Sequence, residues 1–300
     1  MIDYTKYRMN QLNSACAEFI RQESAGSLLL MLATIIAMVL ANSPMAETYE
    51  HALHLFVDLP LLPDMSLLHW VNDGLMAIFF LVVGMEIKRE FLFGELKSLS
   101  ATLLPIAAAV GGMLIPAALY SLFNMGGPTA QGWAIPMSTD IAFSLGVLAF
   151  AAKRVPRSVI VFLTALAIVD DLGGIVVIAL FYSTQLQWTA LGAGLAVLML
   201  MALFSWRNVH HPLPYVLGGV LTWYAFYQAG THPTVAGVLI GFLIPAGTEN
   251  TQHSHPLHLW EHKLSPWSAF LIMPIFALGN AGISMTSESF ASLASPIGLG

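Results

Sequence analysis

Residues 162–182 read FLTALAIVDDLGGIVVIALFY, and this stretch decides the fold. It is as long as the run of about 20 residues that an α-helix needs to cross a hydrocarbon core. It is apolar almost throughout, yet two carboxylates, Asp170 and Asp171, stand side by side near its middle. Working outward, comparable apolar runs occupy 25–43, 67–87, 101–123, 133–152, 158–182, 188–206, 213–229, 232–245 and 267–285. The runs are continuous and lack the two-residue alternation of membrane strands, so no strands are expected. The eighth, 232–245, is short for a crossing and is expected to be tilted, buried among neighbours, or only partly spanning. Composition agrees. The 300 residues are 57% hydrophobic and only 9% charged, against about 25% charged in soluble domains. Mean hydropathy is +0.75. A soluble enzyme, a nucleic-acid binder and a disordered chain are excluded. The class is all-α: a polytopic integral membrane helical bundle, with residues 1–24 as an N-terminal segment and 25–300 as one transmembrane domain.

The basic residues orient the bundle. Lys6, Arg8 and Arg21 precede the first span; Lys88, Arg89 and Lys97 follow the second; Lys153, Arg154 and Arg157 follow the fourth. Arg207 follows the sixth and Lys263 the eighth, which accounts for all 11 Lys and Arg. The loops between have none. Under the positive-inside rule the N-terminus and these loops are cytoplasmic. Trp70, Trp133, Trp188, Trp206 and Trp267 fall at span ends, where an interfacial aromatic belt is expected. Gly111-Gly112 and Gly173-Gly174 are expected to permit close helix approach.

The informative residues are those that do not belong in lipid. Asp140 lies in the fourth span, within GWAIPMSTDIAFSLG (132–146), and joins Asp170 and Asp171 of the fifth. A charge at mid-bilayer costs about 2.5–3.5 kcal/mol, and no Lys or Arg falls inside a predicted span to offset three of them. Two readings stay open: protonated acids joining helices by hydrogen bonds, or a site that takes cations. Pro136, four residues before Asp140, removes a backbone donor. It invites an interrupted helix whose freed carbonyls, with the Thr139 hydroxyl, serve an ion. Oxygen-led, sulfur-free chemistry suits a hard cation such as Na⁺ or Li⁺. No Walker loop, GxGxxG, GxSxG or HExxH motif is present, so no ATP, dinucleotide or resident metal cofactor is expected. Burial and like-charged neighbours favour the protonated carboxylate, so a metal cation and protons compete for the same oxygens. Exposed to each side in turn, such a site exchanges one for the other.

The strings LHWVNDGLMAIFFLVVGMEIKRE (68–90), GWAIPMSTDIAFSLGVLA (132–149), FLTALAIVDDLGGIVVIALFY (162–182), THPTVAGVLIGFLIP (231–245) and ALGNAG (277–282) closely resemble the bacterial NhaA Na⁺/H⁺ antiporters. The resemblance runs in order from about residue 24 onward. It implies electrogenic, pH-activated exchange of Na⁺ or Li⁺ for H⁺ across the inner membrane. It makes Asp170 and Asp171 the ion- and proton-binding pair, and Asp140 and Thr139 their partners on an interrupted helix. By the same resemblance Glu86, Arg89 and Glu90, with Glu261 and His262, form a cytoplasmic funnel and pH sensor. His232 is tied to the pH response, and Asp73 matches an aspartate of the second span. The partners implied are membrane lipid, Na⁺, Li⁺ and H⁺, a second copy in a homodimer, and no nucleic acid. The family fold has twelve helices with an inverted repeat. Nine are expected here, leaving the fold incomplete at its C-terminus. Rival readings are an inactive truncated antiporter, an acidic cation channel, and an intramembrane aspartyl protease, although the GxGD motif of the last is missing.

Overall fold

The computed structural model describes residues 25–57, 63–97, 99–127, 129–137, 139, 157–182, 186–248, 254–286 and 295–299. Helix α1 (Ala25–Ala41) turns through 117° into α2 (Ala46–Leu53). A small antiparallel ribbon then pairs β1 (Phe56–Val57) with β2 (Met65–Ser66). This corrects the expectation of no strands: the pairs are too short to give an alternating pattern. Helix α3 (Leu67–Phe93) follows, its entry capped by the Ser66 hydroxyl, which accepts from the His69 amide at 3.3 Å. It contains a π-helical turn at Trp70–Leu75. The remaining principal helices are α4 (Leu99–Asn124), α5 (Arg157–Phe181), α6 (Trp188–Trp206), α7 (Leu213–Gln228) and α8 (Thr234–Leu243). Helix α9 (Pro256–Trp267) runs through a second π turn, Ser268–Ile272, into α10 (Met273–Asn280).

Among the described residues four helices, α3, α4, α5 and α6, are long and apolar enough to cross a membrane, and the bent α1–α2 pair counts as a fifth if it is taken as one span. Their outer faces are greasy: Leu104 on α4, Leu180 on α5 and Met199 on α6 are each 67–74% exposed. In water such surfaces would associate; in lipid they are the outside. The predicted fourth span is described only at its start. Residues Ala130–Met137, containing Pro136, form a 3₁₀ turn, and Thr139 is not helical.

The helices depart from the predicted spans where polar residues continue a helix past the lipid. Helix α3 runs to Phe93, so Lys88 and Arg89 lie on it and not after it. The predicted ninth span, 267–285, is shifted: helix begins at Pro256 and stops at Asn280. The tryptophans divide. Trp188, Trp206 and Trp267 stand 62–79% exposed, as a belt requires. Trp70 stacks on Trp223 at 5.8 Å, and Trp133 meets Phe181 edge-on at 5.2 Å, so both pack inward.

The tightest joint is between α3 and α8. Ideal Cβ atoms would lie 2.6 Å from the Val238 carbonyl at Gly84 and 2.7 Å from the Leu81 carbonyl at Gly241; at Gly237 the clash with the Ala77 carbonyl is closer still. The helices touch backbone to backbone through a Gly-x-x-x-Gly pattern, a packing mode favoured in lipid. Short α8 is thus buried among its neighbours. The glycine pairs singled out from the sequence behave differently: Gly111 and Gly112 face open space, while Gly173 faces the Met113 thioether. A second packed group, Val83, Ile87, Leu96, Ala165 and Ile168, ties the far end of α3 to α5.

Candidate cation site

Asp170 sits within α5, where Ala165, Ala167 and Ile168 are buried beside it, and is itself only 3% exposed. The α5 sequence leaves no neighbour on that helix to pair with it, so its partners must come from elsewhere. They come from Thr139, just beyond the 3₁₀ turn that Pro136 occupies. The Thr139 backbone N–H donates to Asp170 Oδ2 at 2.8 Å, and its hydroxyl donates to the same oxygen at 2.7 Å. Both donors are available because the chain is not helical at this point, so the amide is not spent on an i−4 carbonyl. Hydrogen bonds to a charged group are each worth about 1.5–3 kcal/mol. Oδ1 lies outside this clamp. Asp171, one residue and 100° further round the helix, is half-buried. Asp140 lies outside the described residues. Among the described residues no three of His, Cys, Asp and Glu converge as a metal-binding group.

A second polar centre lies at the far end of α3. The Arg89 guanidinium reaches Glu90 at 3.0 Å, Glu261 at 3.2 Å and, more loosely, Glu86 at 3.9 Å. Glu86, Arg89 and Glu90 share one end of α3, and Glu261 comes from α9, so the cluster clamps two helices. Burial pushes the Glu261 carboxyl up to about 7; Arg89 opposes this, and Glu86 and Glu90 add to it. One guanidinium thus faces three carboxylates, and the cluster changes charge near neutrality. His262 does not share the clamp's contacts; it is exposed and stacks on His258 at 6.4 Å.

Asp73 lies on the π turn of α3, within electrostatic reach of His69 and of His232, which just precedes α8. Its carbonyl accepts the Trp223 indole N–H at 2.8 Å. Beside it Asn72 and Asn280 exchange amide hydrogen bonds at 3.2 and 2.8 Å, joining α3 to α10. Sequence reasoning missed that pair. The signal was present, because an amide in an apolar helix needs a partner as a carboxylate does. It also missed Lys88, counted only as a basic residue of a loop, whose ammonium donates to the Ile244 carbonyl at 2.6 Å, at the C-terminal end of α8.

The profile of the family described as Na⁺/H⁺ antiporter 1 matches residues 17–300. The Na⁺/H⁺ antiporter NhaA 1 of Clostridium beijerinckii is 47% identical over 298 residues, covering 97% of this chain and 74% of the relative. NhaA of Vibrio campbellii is 49% identical over 290 residues (96% and 73%), and NhaA of Vibrio cholerae is 50% identical over 284 (94% and 73%). A buried aspartate clamped by a threonine outside any helix therefore sits in a sequence matched nearly end to end, and the chain belongs to the NhaA family of Na⁺/H⁺ antiporters.

Proposed function

We propose that this protein exchanges Na⁺ or Li⁺ for H⁺ at Asp170 and Asp171, electrogenically, across the bacterial inner membrane with its N-terminus in the cytoplasm. The observation that carries the reading is the Asp170 carboxylate, 3% exposed in an apolar spanning helix and held through one oxygen by both donors of Thr139. An ionised carboxylate offers about four lone-pair sites, so the Thr139 clamp orients the group and leaves acceptor capacity for a cation. Asp140 is included in the site as the residue that follows Thr139 in the sequence. A cation held there excludes the proton, and the proton excludes the cation. The orientation rests on the sided distribution of the 11 Lys and Arg.

The Arg89 cluster supplies pH control. As pH rises through about 7, Glu261 ionises beside Glu86 and Glu90, and the junction of α3 with α9 takes on one more negative charge. Ile87, between Glu86 and Lys88, packs with Ile168, two residues before Asp170, so a shift of this end of α3 bears on the α5 site. Asp73, within electrostatic reach of His69 and His232, is a second polar group near the opposite end of α3.

The test uses everted vesicles from antiporter-deficient cells expressing the protein. After respiration acidifies the interior, added Na⁺ or Li⁺ raises internal pH. Asp170→Asn and Asp171→Asn abolish that response; exchange that persists in either variant removes that residue from the mechanism. A voltage change without proton movement would mark a channel instead.

A further inference from the structure

Beyond the Lys88 end of α3, the ends of α3 and α6 and the segment after α8 enclose an open cleft of about 460 Å³. It is lined by Lys88, Ser205, Asn208, His210, Gly247 and His255 among others, and no described lining residue carries a carboxylate. The His210 and His255 rings meet edge to face with centroids 4.7 Å apart. Gly247 has φ +74°, and a Cβ there would lie 2.5 Å from His255 Cδ2, so glycine allows the imidazole to lie against this turn. His255 Nδ1 is buried and has no hydrogen-bond partner among the described residues, an arrangement that costs about 1–3 kcal/mol unless something accepts from it or donates to it. Lys88 spends one of an ammonium's three donors on the Ile244 carbonyl. His255 is also the N-cap of the twelve-residue helix α9, whose positive dipole end favours an anion.

We propose that this cleft binds a phosphate-type dianion, gripped by the Lys88 ammonium and the imidazoles of His210 and His255. The Lys88 ammonium repels a metal cation, and the polar donors outnumber what a neutral apolar ligand would use. The volume exceeds that of bare phosphate, so the anion arrives on a larger body: a soluble phosphate ester or a phospholipid head. The site is separate from Asp170, and its occupancy does not depend on the transport reading.

The probe is inorganic phosphate, titrated into purified protein against chloride at matched pH and ionic strength, with unfolding temperature as the readout. A saturable rise is expected. Lys88→Gln should weaken the apparent affinity about tenfold, a loss of one charge-assisted contact, and His255→Gln several-fold. Lys88→Arg, which keeps the charge, should retain binding. Leu92→Trp, which fills the cleft without touching its donors, should abolish it while the protein stays folded. Tighter competition by short-chain phosphatidic acid than by glycerol 3-phosphate assigns the site to lipid, and the reverse order to a soluble ester; either upholds the proposal. No phosphate effect beyond chloride, or an effect unchanged in both Lys88→Gln and Leu92→Trp, overturns it.

Discussion

Replacing Glu261 by Gln fixes the Arg89 cluster in the charge it carries when Glu261 is protonated. Burial raises this carboxyl from an ordinary 4.5 to about 7. The groups facing it from α3 are Arg89, Glu86 and Glu90, with His262 and Lys263 beside it on α9. A folded-state pKa above the unfolded value means that the native protein holds the proton more tightly. The associated stability is fully present below pH 4.5 and is lost as pH rises through 7. Most of it is gone by pH 6. Between pH 6 and 8 the remaining loss is about 1 kcal/mol, roughly tenfold in the unfolding constant. That corresponds to a fall of about 2 °C in unfolding temperature for a chain of this size. The assay compares wild type and Glu261→Gln at pH 6 and pH 8, so that other titrating groups cancel in the difference. Wild type should fall by about that amount relative to the variant, and the variant's exchange rate should vary less with pH over the same interval. Parallel unfolding curves, with parallel rate profiles, would refute the assignment of near-neutral charge change to Glu261.

Thr139→Val removes the hydroxyl donor at 2.7 Å and leaves the amide at 2.8 Å. Its apparent KM for Na⁺ should rise about tenfold, with Thr139→Ser close to wild type; an unchanged KM in Thr139→Val detaches this clamp from cation binding. Gly237→Ala drives a methyl into the Ala77 carbonyl, so the unfolding temperature and the yield of monodisperse protein should drop sharply. Gly112→Ala, which points into open space, should be neutral; equal behaviour of the two would contradict the backbone contact of α3 with α8. Asn72→Ala removes both amide hydrogen bonds to Asn280, which keeps its bond to the Phe276 carbonyl, and should cost about 0.5–1.5 kcal/mol in thermal unfolding, while the Asn72→Ala, Asn280→Ala double variant should lose little more than the single one.

What could be read from the chain, and what could not, follows from how much each residue depends on distant partners. The spans were legible because lipid imposes a one-dimensional rule on any helix that crosses it, and the carboxylates stood out because they break that rule. Asp170 needed a partner by the same logic, and Thr139 could be named because a proline three residues ahead frees the backbone locally. The limits appear where a contact depends on two distant segments. Gly111-Gly112 and Gly237-x-x-x-Gly241 are both small-residue patterns, and only the facing helix distinguishes a joint from a bare surface; Ala77 and Leu81, which decide it, lie about 160 residues away. Trp70 and Trp206 look alike at the ends of runs, but Trp223 across the bundle draws one of them inward. Lys88 is the sharpest case. Counting it for orientation treats it as charge facing water, whereas its aliphatic stem lets the ammonium turn back along the bundle to the last carbonyl of a helix that stops short. A half-length helix leaves unsatisfied carbonyls at its end, and in a chain with only 11 basic residues the cation adjoining that end is not surplus. The shortness of 232–245 was therefore itself the signal that a nearby lysine would be needed to cap it.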